Sequence, residues 1–295
     1  MNKDQLKQLS IEGCELIGRG AHAAVYRIAP DEIVKVYRED IPFDRVLMEK
    51  RRSKRALILK VPTAISLDIV KVGNCYGAVY ELLDAEPTDS YVNRSSENLE
   101  NFINMSVELL KHIHSIDADT AECADMKADH LKWVDNTEHL IGNNAADKLR
   151  DLIRSIPDST KLLHGDFHLK NIIIVKGKPM LIDMDTLCFG DSIFDLATIA
   201  NSYWIFPQMA PEAATVHLGI SVGDAHHIWK RTLSLYFDGM SDDELTRIEQ
   251  KARTLGLLRI IDFAQRSAPA EHRELLTQQG IRMLHESLGA YNHIT

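Results

Sequence analysis

Short β-favouring runs dominate the first 84 residues, and turn signals separate them. Pro30-Asp31 divides the first two runs, and Gly73-Asn74 joins the last two. The predicted elements are strands at 23–28, 32–37, 64–72 and 76–83 and one helix from Phe43 to about Leu59. This pattern predicts a small β-rich unit that contains a single basic helix.

After residue 95 the apolar positions recur at helical spacing. The first such series follows a capping pair, Ser95-Ser96, and it comprises Leu99, Phe102, Ile103, Leu109, Leu110, Ile113 and Ile116. Ser241 to Glu244 form a capping box that predicts the start of another long helix. The stretch from 85 to 95 breaks both patterns and is expected to be a linker. We therefore predict an N-terminal lobe at 1–84, a linker at 85–95 and a helical C-terminal lobe at 96–295.

Composition narrows the class of protein. The 295 residues are 45% hydrophobic and 26% charged, which is typical of soluble globular proteins. No apolar run approaches the length of a membrane span, and the N-terminus lacks the apolar core of a signal peptide. The four cysteines are scattered and form no CxxC pair, so neither disulfides nor a zinc site is indicated. We expect a cytoplasmic protein without a membrane partner.

The net charge of −9 is unevenly distributed. Residues 1–84 hold 14 basic and 12 acidic side chains, so the excess of acids lies entirely in the rest of the chain. An acidic second half argues against a nucleic-acid partner, which requires a basic face. It is compatible with a cationic acceptor, but a solvated acidic surface that aids solubility is the favoured explanation.

The stretch from His164 to Asn171 carries the strongest chemical signal. Asp166 and Asn171 stand five positions apart, directly before the apolar run 172–175. Gly177-Lys178 then turns the chain back toward Asp183. A hairpin of this kind brings a carboxylate, an amide and a second carboxylate to one end. Phosphoryl transfer needs such groups, namely a base that orients a hydroxyl and oxygen ligands for Mg²⁺.

Three linked pieces resemble one enzyme family. The pieces are His164-Gly165-Asp166 with Asn171, Ile182-Asp183, and the segment from Gly190-Asp191 to Asp195-Leu196-Ala197. Together they resemble the aminoglycoside phosphotransferase and choline kinase family, whose catalytic loop reads HGDxxxxN. The resemblance implies an α+β, bilobal protein-kinase-like fold, with a β-rich lobe that binds ATP and a helical lobe that binds the acceptor. It also implies Mg²⁺ as a cofactor, with Asn171 and Asp183 as its ligands and Asp166 as the catalytic base.

The first lobe contains the candidate nucleotide-binding residues. Gly18 and Gly20 lie between two predicted strands, in a loop that resembles the kinase glycine-rich loop, although such a pair is also common in a plain tight turn. Lys35 lies within an apolar strand, where a lysine requires a partner unless the strand is at an edge. The kinase resemblance makes Lys35 the phosphate-binding lysine and Glu49 its partner. The basic residues around Glu49 leave open that it forms surface ion pairs instead.

Further roles follow from the resemblance alone. Glu81 and Leu83 occupy the position of the kinase hinge, whose backbone would contact adenine, although an ordinary buried strand explains the same letters. Asp195 would brace the catalytic loop, and His164 would be a scaffold residue. Asp185 is expected to be structural, with a contribution to the metal site as the alternative. His168 receives no chemical role.

The acceptor is expected to be a small hydroxyl compound. Asp195 follows Asp183 by only twelve positions, and no APE-like element follows, so a peptide-binding platform is absent from the sequence. Candidate acceptor contacts are Tyr203, Trp204, Trp229, Tyr236 and Asp238, although core packing explains the aromatics equally well. We therefore predict an ATP- and Mg²⁺-dependent kinase of an aminoglycoside, a choline-like amine or a sugar. The alternatives are a catalytically silent nucleotide-binding module and, less favoured, a protein Ser/Thr kinase; GTP as donor stays open.

Overall fold

The computed structural model describes residues 3–20, 22–212, 214–268 and 270–291. By its internal contacts the chain divides into two compact units. The first comprises Met1–Pro87 and Asn171–Thr186, and the second comprises Thr88–Lys170 and Leu187–Thr295. The hairpin that follows the catalytic-loop motif therefore groups with the N-terminal residues, and not with the helical segment into which the sequence analysis placed it.

A six-stranded sheet forms the centre of the first unit. Its strands are β1 (Lys7–Gln8), β2 (Glu15–Arg19), β3 (Ala23–Ala29), β4 (Glu32–Tyr37), β5 (Ser66–Val72) and β6 (Cys75–Glu81). They lie in the order β1-β5-β6-β4-β3-β2, and every neighbouring pair except β1 and β5 is antiparallel. Among the residues of this unit that the structure describes, α1 (Phe43–Ile58) is the one α-helix. The boundaries of β3 to β6 and α1 agree with those predicted from the sequence to within two residues, whereas no bounds were predicted for β1 and β2.

Strand alternation decides which side chains of the sheet meet α1. Tyr37 packs in one apolar cluster with Val46 of α1, whereas Val34 packs in a separate cluster with Val70 and Val79. Successive side chains of a strand point to opposite faces, so Lys35 shares the α1-facing side with Tyr37. The sheet thus directs the lysine of β4 toward the helix.

A second, three-stranded sheet completes the first unit. It contains β7 (Ala85–Pro87), β10 (Ile172–Val175) and β11 (Lys178–Leu181), with β10 in the middle. The predicted hairpin is present, with Ile172 opposite Leu181 and Val175 opposite Lys178. Because β7 pairs with β10, residues 85–87 form a strand of this unit, within the stretch that the sequence analysis treated as the start of a linker.

The second unit is mainly helical. Its helices are α2 (Thr88–Val92), α3 (Ser96–Ser115), α4 (Met126–Ile141), α5 (Asn143–Ser155), α6 (Ile193–Ala200), α7 (Phe206–Met209), α8 (Val222–Tyr236), α9 (Asp242–Arg266) and α10 (Ala270–Tyr291). A π-helical turn, Asn201–Ile205, continues directly from α6. The short strands β8 (Ala124–Asp125), β12 (Cys188–Phe189) and β9 (Leu162–Leu163) form a small sheet in that order.

Two predicted helix caps are present in this unit. The Ser95 side chain accepts a hydrogen bond from the backbone N–H of Asn98 and so caps α3. Ser241 and Glu244 form the reciprocal capping box at the start of α9. Across the described part of the chain, the helices are all too short or too polar to span a bilayer.

Candidate active site

Lys35 forms the centre of an ion-pair cluster in the first unit. Its Nζ lies 2.8 Å from Oε1 of Glu49 and 3.0 Å from Oδ1 of Asp183. Glu49 is only 3% exposed, because it lies on the same face of α1 as the buried Val46 and Ser53. The Tyr80 hydroxyl donates a second hydrogen bond to Glu49 Oε1 over 3.1 Å. Glu49 therefore lies in the interior of this unit. The alternative hypothesis, that Glu49 forms surface ion pairs with the neighbouring basic residues, is excluded.

The two carboxylates of this cluster stabilise the charged form of Lys35. Burial lowers the pKa of Lys35, but the carboxylates of Asp183 and Glu49 raise it by more, so its net pKa lies above the ordinary value. Lys35 is consequently a permanent cation at neutral pH. A fixed positive charge at the base of a nucleotide site can bind phosphate oxygens without any change in protonation.

Asp183 occupies a backbone conformation that few residues adopt. Its φ is +62°, in the left-handed region, where Asp and Asn are enriched among non-glycine residues. It follows β11, and the backbone N–H of the preceding Ile182 donates to the Asn171 carbonyl over 2.9 Å. Asn171 directly precedes β10 and is 8% exposed. The hairpin therefore brings the two predicted metal ligands to the same end, as the spacing suggested.

A third carboxylate joins this end of the hairpin. Oxygen atoms of Glu49, Asp183 and Asp185 all lie within 4.8 Å of one another. Burial raises the pKa of Asp185 to about 6, and the negative charges of Asp183 and Glu49 add to the effect. Asp185 also forms an ion pair with Arg45 over 3.3 Å, and its backbone carbonyl accepts a hydrogen bond from Arg52. Asp185 therefore combines the structural role expected from the sequence with proximity to the candidate metal ligands.

The two loop glycines are not required by the local backbone. Gly18 lies in β2 opposite Val25, and the Gly20 N–H donates to the Ala23 carbonyl over 2.8 Å. Neither glycine has a positive φ. A Cβ at Gly18 would meet no atom within 4 Å, and one at Gly20 would meet only the Ala23 carbonyl at 3.9 Å. Open space beside both residues is what a phosphate-binding loop needs; Ala21, between them and β3, lies outside the described residues.

The predicted hinge begins at Glu81, the last residue of β6. Within it, the Glu81 N–H donates to the Ile65 carbonyl over 3.1 Å, and the Glu81 carboxylate accepts from the Ile65 N–H over 2.7 Å. The Leu83 carbonyl accepts a hydrogen bond from the Ala85 N–H over 2.9 Å. These contacts occupy the Glu81 N–H and the Leu83 carbonyl themselves, and the contact of this backbone with adenine stays a prediction.

In the second unit, a buried carboxylate holds the loop that carries Asp166. Asp195 Oδ2 accepts from the His164 N–H over 2.8 Å, and Oδ1 accepts from the Gly165 N–H over 2.7 Å. Both Asp195 and His164 are fully buried. The Asp166 N–H donates to His164 Nδ1 over 3.2 Å. Asp195 therefore braces the loop, and His164 is a scaffold residue, as the family resemblance implied.

Two further residues support this loop. His114 Nε2 lies 3.0 Å from Asp195 Oδ2, and the Tyr236 hydroxyl lies 2.7 Å from His114 Nδ1. Burial raises the pKa of Asp195. The hydrogen bond from His114 and the charges of His114 and His164 lower this pKa by more than burial raises it, so it lies below the ordinary value. The result is a chain of hydrogen bonds from Tyr236 through His114 and Asp195 to the backbone next to Asp166.

The Asp166 carboxylate is itself half-exposed and close to positive groups. Its side chain is 42% exposed, and Oδ2 lies 3.4 Å from His168 Nε2. Burial alone would raise the pKa of Asp166, but the contact with His168 and the charge of Arg259 hold it well below its ordinary range. Arg259 Nη1 donates to the Gly165 carbonyl over 2.6 Å. Asp166 is therefore an ionised, accessible hydrogen-bond acceptor at neutral pH.

Sequence reasoning missed His114 and Arg259. A signal for each was available, because His114 follows the apolar pair Leu110 and Ile113 at helical spacing, and Arg259 interrupts the apolar run 255–261. A polar residue on an apolar helix face usually has a buried partner. The sequence alone could not show that these partners belong to the catalytic-loop segment.

The aromatic residues suggested for acceptor contact mostly have structural roles. The Tyr203 hydroxyl accepts from the Leu169 N–H over 2.7 Å, and Trp229 is fully buried with its Nε1 donating to Glu249 over 3.1 Å. Tyr236 contacts His114. Asp238 is exposed just beyond α8. Trp204 is different, and its surroundings are described below.

The comparisons with known proteins agree with this architecture. Residues 13–225 match the family described as "Phosphotransferase enzyme family", which is more than half of the chain. The chain belongs to this family. That membership confirms the enzyme class expected from the sequence, a small-molecule kinase. No curated protein matches the chain.

Solved structures show the same fold at low sequence identity. The ADP-bound aminoglycoside phosphotransferase APH(2″)-Ib is 14% identical, with 93% of this chain and 94% of that chain covered and a TM-score of 0.60. The ternary complex of APH(2″)-IIa with streptomycin and ATP is 15% identical, with coverage of 92% and 90% and a TM-score of 0.57. A choline/ethanolamine kinase family protein from Mesorhizobium loti is 13% identical, with coverage of 95% and 90% and a TM-score of 0.60. The protein-kinase-like fold expected from the sequence is thereby confirmed.

Replacement of His114 tests the hydrogen-bonded brace of the catalytic loop. We expect His114→Ala to lower kcat by about tenfold with little change in the KM for nucleotide. The variant loses one charge-assisted hydrogen bond, which contributes about 1.5–3 kcal/mol to holding the loop in place. Steady-state kinetics and thermal unfolding measure the two effects. His112→Ala, on the exposed side of the same helix, is the matched control. An unchanged kcat in His114→Ala would contradict the positioning role.

Proposed function

We propose that this protein transfers the γ-phosphoryl group of ATP to a hydroxyl group of a small molecule, with Mg²⁺ as cofactor. The observation that carries the proposal is the Lys35–Glu49–Asp183 cluster at one end of the β10–β11 hairpin. Such a lysine, paired with a helix glutamate and next to an aspartate, is the phosphate-binding arrangement of kinases. The nucleotide complexes of related structures support the choice of a nucleoside triphosphate as donor.

The donor set near Asp183 fits a magnesium ion. Mg²⁺ prefers oxygen ligands, and three carboxylates offer oxygens within 4.8 Å of one another. Lys35 contacts Asp183, which indicates that this carboxylate attracts a cation. We propose Asp183 and Asn171 as the ligands, with Asp185 within reach of the same position. A bound Mg²⁺ would offset the negative charge of the β- and γ-phosphates.

Residues of both units have defined tasks in this proposal. Lys35 would bind phosphate oxygens of the donor, and the backbone beside Gly18 and Gly20 would approach them closely. Asp166 would accept a hydrogen bond from the acceptor hydroxyl, orient it toward the phosphorus and take its proton late in the transfer. The brace on the loop through Asp195 would keep Asp166 in position.

The nature of the acceptor rests on family and fold. One structurally similar protein was solved as a complex with streptomycin, and another belongs to the choline/ethanolamine kinase family. Together with the short segment between Asp183 and Asp195, these relatives support a small hydroxyl compound and not a polypeptide. We propose an aminoglycoside, an amino alcohol or a sugar as the acceptor class.

Acceptor-dependent ADP release tests the proposal directly. We expect one class within a panel of aminoglycosides, amino alcohols and sugars to stimulate ADP formation from Mg·ATP, and chelation of Mg²⁺ to abolish it. The Asp151→Ala variant, changed on the exposed surface of α5, should keep the activity. Absence of stimulation by any panel member, with nucleotide binding intact, would favour the catalytically silent module.

A further inference from the structure

Trp204 lies at the centre of a cationic cluster in the second unit. Its ring centroid is 4.4 Å from that of His226, with the two planes tilted by 38°. Arg253 Cζ lies 5.1 Å from the Trp204 ring centroid, and Lys230 Nζ lies 6.0 Å from it. His226 and Lys230 are one turn apart on α8, and Arg253 projects from α9. We call these four residues the Trp204 cluster.

The Trp204 cluster contains two polar atoms without a hydrogen-bond partner. Trp204 Nε1 and His226 Nε2 are both shielded from solvent, and neither contacts an acceptor or donor in the described part of the chain. Buried ring nitrogens are normally satisfied, and each exception calls for an explanation. The indole N–H can only donate, so its missing partner is a hydrogen-bond acceptor.

The charge of the Trp204 cluster is also incompletely balanced. Among the described residues, Lys230 forms no ion pair, and Arg253 has only Glu249, at 3.7 Å. Glu249 in turn already accepts a hydrogen bond from Trp229. Burial lowers the pKa of His226, and the positive charges of Lys230 and Arg253 lower it further. Positive charge at this position therefore exceeds negative charge, in a unit whose sequence is acidic overall.

We propose that the Trp204 cluster binds a small oxyanion, either a phosphate or a carboxylate group. Lys230 and Arg253 would supply the charge, and the Trp204 N–H would donate to one oxygen. His226 would donate from Nε2, which fixes its tautomer with the proton on that nitrogen. Both ring nitrogens are shielded from solvent, so side chains beside them move to admit the ion, and the long, flexible side chains of Lys230 and Arg253 near the Trp204 ring permit such movement.

Titration with inorganic phosphate by calorimetry tests this site on the full chain. We expect wild type to bind phosphate, and we expect Lys230→Gln and Arg253→Gln each to weaken that binding by about tenfold through loss of a charge-assisted contact. The control variant Arg247→Gln changes an exposed residue of α9, the helix that carries Arg253. It makes an equal change in net charge and should bind phosphate as wild type does. Thermal unfolding without phosphate verifies that each variant is folded. Phosphate affinity that is unchanged in both cluster variants, or no phosphate binding in wild type, overturns the proposal.

A kinetic experiment distinguishes the two sources of such an anion. If the oxyanion is part of the acceptor, inorganic phosphate raises the KM for acceptor and leaves kcat unchanged. If a free anion acts as an effector, phosphate changes kcat or the KM for nucleotide without competing with the acceptor. This second experiment rests on the proposed function, whereas the calorimetric titration does not, so failure of one proposal is distinguishable from failure of the other.

Discussion

The Asp166→Ala variant is expected to lose turnover by about 10²–10⁴-fold while it binds nucleotide as well as wild type does. Asp166 is 42% exposed and ionised, and it lies on a loop whose backbone is held by Asp195. Its removal deletes the carboxylate that we propose orients the acceptor, and it leaves the buried brace intact. Stopped assays of ADP formation and a nucleotide-binding titration give the two readouts.

Controls separate this effect from a change in folding. Asp166→Asn keeps the shape of the side chain and should be nearly as inactive as Asp166→Ala, because an amide is no base. Asp151→Ala should remain fully active. Since the pKa of Asp166 is held below its ordinary range, wild-type kcat/KM should show no loss attributable to Asp166 between about pH 5 and 8. Substantial turnover in both Asp166 variants would disprove its assignment as the base.

Lys35→Met is expected to lower both nucleotide affinity and stability. The change leaves Glu49, which is 3% exposed, as a buried carboxylate without its cation. Breaking a buried pair by removal of one partner costs about 3–5 kcal/mol of unfolding free energy. Chemical denaturation measures the stability, and calorimetry with ATP analogues measures the affinity.

A double variant separates the two consequences of this change. In Lys35→Met/Glu49→Gln the buried charge is absent, and the Tyr80 hydroxyl can still donate to the amide oxygen at position 49. We expect most of the stability to return but none of the nucleotide affinity. If the double variant recovered ATP binding, Lys35 would not be the phosphate ligand. If Lys35→Met were as stable as wild type, the pair would have no structural importance.

Local sequence signals determined much of the architecture. The β-favouring runs at β3 to β6 and the turn at Gly73-Asn74 predicted the strands, because residue propensity and turn chemistry act over a few positions. The helix caps at Ser95 and Ser241 could be predicted from the sequence for the same reason, because a cap involves only residues a few positions apart. The apolar run 172–175 and the turn at Gly177-Lys178 predicted the β10–β11 hairpin, since it is formed by neighbouring residues.

Other features depend on contacts between distant parts of the chain. The resemblance named Glu49 as the partner of Lys35, but the basic residues around Glu49 left a surface ion pair open. The side of the sheet on which α1 packs decides between the two. That Arg259 contacts Gly165, 94 positions earlier, follows from the path of α9. That the cationic groups of Lys230 and Arg253 lie 6.0 Å and 5.1 Å from the Trp204 ring centroid follows from the packing of α8 and α9.

The sequence by itself therefore determined the elements, the family and the residues with catalytic potential, because motif spacing and hydrophobic periodicity are local properties. Only the tertiary structure decided which of those residues have partners and which charges surround them. Burial and long-range pairing depend on how helices and sheets pack, and the pKa values of Lys35, Asp166 and Asp195 depend on that packing in turn.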